Sequence, residues 1–335
     1  MTSSDFSAQR DSRLSNLLCI GVPVFEEDEG LSRSISSIEA LEEFKNGLVE
    51  AVIWDNDSSD DSYKVALQFA NRNPQSVRVG QNTSNIGPVE NLRQVLRNSS
   101  AKFVWILGAG EELSTTSLSP LLEFLGDPLN SELAMGTVST DLPSNSPTED
   151  ELDWHIESID PEASSCFVET ISLSIVLRDL ALDVLDRDYP GRDDGFHVWP
   201  HLEVALRATS CPTFRVSSPP LVKVTTNPTG WWYHSSSALE IYLNQVILLK
   251  SHAKKVDWIQ DRAGDRCGWH FAKFAFEVKL EGAGLTLIEL VKALRAGIKM
   301  APIVVAAAIA ISPKALLRFA QKMYRAGQRV NNSTS

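Results

Sequence analysis

Short apolar runs that alternate with helical stretches constrain this chain more than any other feature. Residues 17–24 (LLCIGVPV) and 49–54 (VEAVIW) have strand length, and helical spacing fills residues 34–46 between them, which predicts a β-α-β unit. The alternation continues with a helix over 61–71, a strand over 76–79, an Asn- and Ser-rich loop, a helix over 89–97 and a strand over 103–107. That pattern predicts an α/β fold with a mostly parallel sheet covered by helices on both faces. Further on, residues 113–125 read as helix, 127–161 as a loop or flap, 171–185 as helix, 199–208 as a helix with Pro200 in its first turn, and 214–224 as a strand. No internal repeat is present.

At 335 residues, with 43% apolar and 22% charged side chains, the chain has enough apolar content for a sizeable core. Disordered, collagenous and disulfide-scaffold classes are excluded. A net charge of −12 argues against a surface built to hold nucleic acid. Cys19, Cys166, Cys211 and Cys267 form no CxxC pair, and the amino terminus lacks the apolar region of a secretory signal. Both features predict a reducing, cytoplasmic location.

The charge is unevenly placed. Between Leu290 and Val330 stand Lys292, Arg295, Lys299, Lys314, Arg318, Lys322, Arg325 and Arg329 with no Asp or Glu, so the remainder of the chain carries more negative charge than the total suggests. Leu287, Ile288, Val291, Leu294 and Ile298 recur at helical spacing, as do Leu316, Leu317, Ala320, Met323 and Tyr324. These segments read as basic amphipathic helices suited to an anionic membrane surface, or to packing on the body or on a second copy. The longest apolar run, 300–311, is interrupted by Pro302 and is too short to span a bilayer.

Three acidic loops follow successive strands: FEEDEG after the first, DNDSSDDS after the second and GAGEE after the fourth. Asp, Ser and Gly also end strands and cap helices, but three such loops at successive strand ends favour a site, because open α/β sheets bind ligands beyond the carboxyl ends of their strands.

Four landmarks in order carry a family resemblance. Pro23-Val24-Phe25-Glu26-Glu27 resembles P-x-Y-N-E; Trp54-Asp55-Asn56-Asp57-Ser58-Ser59-Asp60 resembles V-D-D-G-S-x-D; Asn85-Ile86-Gly87 with Asn91 resembles N-x-G and a following helical Asn; residues 103–113 (FVWILGAGEEL) resemble the strand bearing an Asp-x-Asp metal motif. Together they resemble the nucleotide-sugar-binding half of a family 2 glycosyltransferase with the GT-A fold.

The resemblance implies a nucleotide-diphospho-sugar held by Pro23, Phe25, Glu27, Asp55, Asp57, Asn85, Gly87, Asn91 and Gly108. Asp55 would accept bonds from base or ribose, and Gly87 would allow close backbone approach. Asn91 is equally readable as a solvated helix residue. The chain departs from the family at the metal motif, where Gly108 and Gly110 replace both acids and Glu111 is the following acid. Three readings stay open: Glu111 with His234 holds Mg²⁺ or Mn²⁺, the site uses no metal, or the fold is kept without catalysis. As a fourth, Glu111 and Glu112 merely favour the next helix start.

Inverting transfer needs a group that takes the acceptor's proton. Residues 200–207 (PHLEVALR) resemble the family's E-D-x-D-L-x-L-R frame, with His201 at the base position and Glu203 two further on; Asp193 and Asp194 are the reserve. Trp231 and Trp232 read either as a sugar platform or as core. The organisation expected is a flexible 1–15, a GT-A-like domain over 16–245 and a helical basic region over 246–330, peripheral on the inner face of the cell membrane. The acceptor expected is a glycan or lipid-linked glycan. The alternative is a non-catalytic GT-A-fold protein that binds sugar or a partner in a polysaccharide assembly. A nucleotidyltransferase or a dinucleotide dehydrogenase fits less well, since no Gly-rich phosphate loop follows the first strand.

Overall fold

In the computed structural model, the residues described are 14, 16–138, 154–159, 174–188, 211–223, 272, 275–276, 294, 298 and 300–311. The chain divides into two compact units, one of residues 1–192 and 197–225, the other of 193–196 and 226–335. The first contains a sheet of eight strands: β1 (Leu18–Val24), β2 (Val49–Asp55), β3 (Val77–Gln81), β4 (Phe103–Ile106), β6 (Met135–Val138), β7 (His155–Ile159), β8 (Ser174–Leu177) and β9 (Thr213–Ser218). Their order is β3-β2-β1-β4-β8-β6-β9-β7. The β3-β2-β1-β4 half is parallel throughout, whereas β8 runs antiparallel to both β4 and β6 and β7 runs antiparallel to β9. A separate pair joins β5 (Glu112–Leu113) to β10 (Val222–Lys223).

The parallel half has the expected α/β build because its strands alternate apolar residues to both faces. Leu18, Ile20, Val22 and Val24 of β1 join one core with residues of α1 (Asp28–Ala40), α2 (Glu42–Lys45), α3 (Ser62–Arg72) and α5 (Ser119–Gly126). Cys19 of the same strand joins the opposite core with α4 (Pro88–Asn98) and α6 (Arg178–Asp188). Between them Gly21 lets α4 lie close on β1, since a Cβ there would stand 2.5 Å from Val95 Cγ1. Leu31, Ile35 and Ile38 form the buried stripe of α1, and Val89, Leu92, Val95 and Leu96 that of α4, whose first residue Pro88 needs no amide partner.

Several local expectations are corrected. The helix expected over 34–46 begins at Asp28, where Asp28 and Glu29 favour the amino-terminal dipole, and it ends at Ala40 because Leu41 is extended (φ −63°, ψ 129°). The helix expected over 113–125 starts only at Ser119, because Leu113 pairs with Val222 in β5-β10. The loop expected over 127–161 contains β6 and β7, and the helix expected over 171–185 is β8 followed by α6. Short apolar runs were misread there because sheet pairing, rather than local propensity, decides their state. The strand expected over 214–224 is split into β9 and β10.

In the second unit α7 (Met300–Ile311) is described. Pro302 lies in its first turn and starts the helix instead of interrupting it. Ile303 and Ala306 are buried, while Met300 and Val304 are 60% and 59% exposed. Of the apolar residues read at helical spacing, Leu294 is exposed and Ile298 is buried. No helix among the described residues is long and apolar enough to cross a membrane.

A buried acid fixes the start of α5. Glu43 accepts bonds from Ser117 Oγ (2.8 Å), Leu118 N (2.8 Å) and Ser119 Oγ (2.7 Å). Burial alone would raise its carboxyl, but these donors outweigh burial and hold it below the usual 4.5. Its charged form therefore stabilises the fold above about pH 4.5, and that contribution is lost as pH falls through the depressed value. Glu43→Gln is expected to cost roughly 1–3 kcal/mol in urea unfolding at pH 7, with a smaller difference from wild type at pH 3.

Candidate active site

The carboxyl ends of the first three strands stand level. Val24 is paired with Asp55 in register, and Asp55 with Gln81. Each strand end therefore delivers its following loop to the same rim, with Phe25, Asn56 and Asn82 as the next residues.

Asp55 is fully buried. It accepts bonds from Ser58 Oγ (2.5 Å), Ser58 N (3.0 Å) and Gln81 Nε2 (2.9 Å). A carboxylate offers about four acceptor sites, so three are committed to shaping the β2 loop and one is left for a ligand donor. Asp57 stands exposed at the tip of that turn with φ 65°, a left-handed backbone that Asp tolerates better than most residues.

Beside Asp55 lies a lattice of amides. Asn91 donates to Trp54 O (3.0 Å) and Val24 O (3.4 Å) and accepts from Asn82 Nδ2 (3.0 Å). Asn82 also donates to Asn56 Oδ1 (2.9 Å) and accepts from Trp54 Nε1 (2.9 Å). Asn56 in turn reaches Asn85 Oδ1 (2.8 Å) and receives Ile86 N (3.0 Å), while Gly87 N donates to Asn85 Oδ1 (3.0 Å). Asn91 is buried, not solvated. It sits on the apolar stripe of α4 with Leu92 and Val95, and it adds a side-chain donor to strand-end carbonyls, of which Val24 O also accepts Asn56 N (2.9 Å), so it ties α4 to the ends of β1 and β2. Gly87 has φ 84°, which permits the turn into α4.

The β1 and β2 loops are laced together. Glu26 N donates to Ser58 Oγ (2.9 Å), Ser59 N to Glu26 Oε1 (2.7 Å), Glu27 N to Ser62 Oγ (3.0 Å) and Asp28 N to Asp60 Oδ2 (3.1 Å). Most acids and serines of these segments are thus consumed in shaping one rigid rim. Phe25, 47% exposed, is left with an open aromatic face, while Pro23 is half-buried within β1.

The β4 loop lies on α1. Ser34 Oγ receives Gly110 N (3.0 Å) and donates to Glu111 O (2.7 Å), and Leu113 N donates to Ser37 Oγ (3.0 Å). Gly110 has φ 100°, and a Cβ added to Gly30 would stand 2.7 Å from its Cα, so the two backbones touch without room for a side chain between them. Glu27 Oε1 would lie 3.3 Å from a Cβ on Gly110. Burial raises the Glu27 carboxyl, with Arg33 acting in the opposite direction.

Glu111 is turned inward. Its carboxylate receives the Gly108 backbone N–H, while Oε2 is enclosed and has no hydrogen-bond partner among the described residues. Burial pushes its carboxyl up to about 7. Divalent cations want several hard, charged oxygens. Among the described residues no three His, Cys, Asp or Glu side chains come together, and beside its two glycines the loop offers Glu111 and a Glu112 already paired with Lys223 (3.3 Å). The described donor set does not fit a divalent cation.

Residues 19–179 match the sequence model of glycosyl transferase family 2. These residues form a family 2 glycosyltransferase domain. The match spans β1 to the start of α6. Among solved structures, S. aureus TarS 1–349 in complex with UDP-GlcNAc is similar at a TM-score of 0.56 and 13% identity, covering 93% of this chain and 92% of that chain. A longer S. aureus TarS structure gives 0.54 at 12% identity, covering 91% of this chain and 53% of that chain, so this chain spans about half its length. PcManGT, a mannosyltransferase from Pyrobaculum calidifontis in complex with GDP-Man and Mn²⁺, gives 0.53 at 13% identity, covering 95% of this chain and 87% of that chain. At such identities the likeness is one of fold, and the fold is the GT-A type. No curated protein matches the chain by sequence.

Within the family 2 domain the structure brings together Pro23, Phe25, Glu27, Asp55, Asp57, Asn85, Gly87, Asn91, Gly108 and Glu111 along one rim. His201, Glu203, His234, the reserve Asp193 and Asp194, and Trp231 and Trp232 lie outside the described residues, as do Leu287, Ile288, Val291 and the basic stretch beyond 311. Sequence reasoning missed Ser34, Ser58, Gln81 and Asn82. Ser34 had a signal, since it lies three residues after Leu31 and four before Ile38 on the buried stripe of α1. Gln81 had none, because its partner Asp55 ends the preceding strand, 26 positions earlier and beyond an intervening helix.

Two outcomes test this geometry. Asn91→Ala is expected to cost about 1–2 kcal/mol in denaturant unfolding, because it removes two donated bonds and leaves Asn82 Nδ2 without one of its acceptors. For Glu111 the folded value of about 7 lies above the ordinary 4.5, so the folded state holds the proton more tightly and wild-type stability falls as pH rises from about 4.5 to about 7. Glu111→Gln is expected to flatten that slope, by roughly 1–3 kcal/mol across the window, in thermal or urea unfolding followed against pH.

Proposed function

We propose that the protein transfers a sugar from a nucleotide-diphospho-sugar to a hydroxyl of a glycan or lipid-linked glycan, with inversion at the anomeric carbon. The observation that carries this reading is the level row of strand ends in a family 2 domain, which gathers the β1, β2, β3 and β4 loops around Asp55. The exposed Phe25 ring gives the base a stacking surface, and the remaining acceptor site of Asp55 takes a base or ribose donor. Gly87 and Gly108 let backbone approach the donor. Phe25 and Asp55 thus bind, while Asn91 acts by holding the loops that carry them.

His201 takes the acceptor proton as the hydroxyl attacks, with Glu203 beside it in sequence, and the diphosphate leaves from the opposite side. The basic carboxyl-terminal helices bring the enzyme to an anionic lipid surface on the cytoplasmic side, where a lipid-linked acceptor is found. The apolar residues that α7 exposes, Met300 and Val304, support that placement.

Calorimetric titration with UDP, GDP and dTDP tests the donor reading. One of them is expected to bind saturably, and Asp55→Ala to weaken it about tenfold or more. His201→Ala is expected to leave binding intact and to lower transfer or donor hydrolysis by roughly 10²–10⁴. No binding by any of the three sinks the reading. Gly108 and Gly110 favour a second reading, a sugar- or partner-binding protein without turnover; donor binding with no hydrolysis, unchanged in His201→Ala, is its signature.

A further inference from the structure

We propose that this domain binds its nucleotide-diphospho-sugar donor without a divalent cation, the β4 loop having been rebuilt as an uncharged backbone surface clamped to α1. The inference rests on the donor reading above and deepens it. Three observations of different kinds carry it.

The first is conformational. Gly110 sits at φ 100°, a backbone state that an L-aspartate adopts only under strain. The loop is therefore not a metal loop with its acids trimmed, since its path excludes the residue type that would hold the metal.

The second is steric and electrostatic. Gly110 packs on Gly30 with no space for a Cβ between the backbones, and a side chain at 110 would begin 3.3 Å from Glu27 Oε1. A carboxylate placed there would face the Glu27 carboxylate at close range, which is unfavourable unless a cation separates them. The amide of Gly110 and the carbonyl of Glu111 are both engaged by Ser34 Oγ, at 3.0 and 2.7 Å, and the amide of Leu113 by Ser37 Oγ at 3.0 Å. Three hydrogen bonds thus clamp the loop to α1 in this conformation.

The third is charge balance. Two aspartates with one divalent cation present no net charge to a diphosphate, and neither do two glycines with none. Removing both acids together with the cation keeps the electrostatic field at the leaving group close to neutral, whereas removing the cation alone would leave two repelling carboxylates. Of the two acids that remain, Glu112 pairs with Lys223 (3.3 Å), and Glu111 has its carboxylate bonded to the Gly108 N–H with Oε2 enclosed, so neither projects into the donor's space as a ligand.

The test uses the full chain titrated with UDP, GDP and dTDP, once in EDTA and once in excess Mn²⁺. The expected result is that the nucleotide that binds does so with Kd values differing by less than about threefold between the two conditions. A second readout follows the electron paramagnetic resonance of free Mn²⁺ at fixed nucleotide, where adding the protein is expected to remove no Mn²⁺ signal beyond what the nucleotide removes. Binding that is lost in EDTA by about a hundredfold or more, or protein-dependent Mn²⁺ uptake, overturns the inference and leaves the donor reading standing. Absence of nucleotide binding in both conditions overturns the donor reading, and this inference with it.

Discussion

The buried amide of Asn91 is the interaction on which the site depends. Parallel strands end with carbonyls pointing into the rim, and a carbonyl has two lone pairs, so it can take a side-chain donor in addition to its backbone partner. Asn91 supplies donors to two such ends, Val24 and Trp54, from a position on α4 that is otherwise apolar. Through Asn82 it then fixes Asn56, and through Asn56 the turn at Asn85–Gly87. One side chain thereby couples the packing of a helix to the shape of three loops. Polar networks of this kind rigidify when every member is satisfied.

A second economy of polar groups runs along the opposite side of the rim. Ser58, Ser59 and Ser62 join the β1 and β2 loops, and Ser34 and Ser37 join the β4 loop to α1. Hydroxyls serve here because they both donate and accept within a short reach, so one serine bridges an amide and a carbonyl at once, as Ser34 does. The acids that look like a negatively charged cluster in sequence are largely spent in these bonds: Glu26 on Ser59, Asp60 on Asp28 N and Ser62 N, Asp55 on Ser58 and Gln81. Their lone pairs are thus committed to shaping the rim more than the sequence implies.

The legibility of this protein follows the range of the interactions involved. The first half was readable because each β-α-β step is local: strand, helix and loop follow one another, and the hydrophobic period changes from two to 3.6 at each junction. Beyond residue 112 the reading failed where elements are short and paired at long range. β6 and β8 are four residues each and neighbours in the sheet although 35 residues lie between Val138 and Ser174, so no local pattern separates them from helix or loop. In the site, Asp55, Gly87 and Gly108 were legible as strand-end or turn residues, and Asn91 was legible as a family position but not as a buried one. Gln81 and Ser34 became visible only with the fold, because each is defined by a partner far along the chain.

By itself the sequence determined the α/β class, the order of the four loops, the family they belong to and the loss of both acids from the fourth, since all of these are written in residue type and local spacing. Tertiary structure decided which acids are spent on serines and amides, that Glu111 turns inward, and that Gly110 adopts a backbone no aspartate would accept beside Gly30 and Glu27. The physical reason is that charge and hydrogen-bond capacity are properties of a residue, whereas their availability to a ligand is a property of what surrounds it.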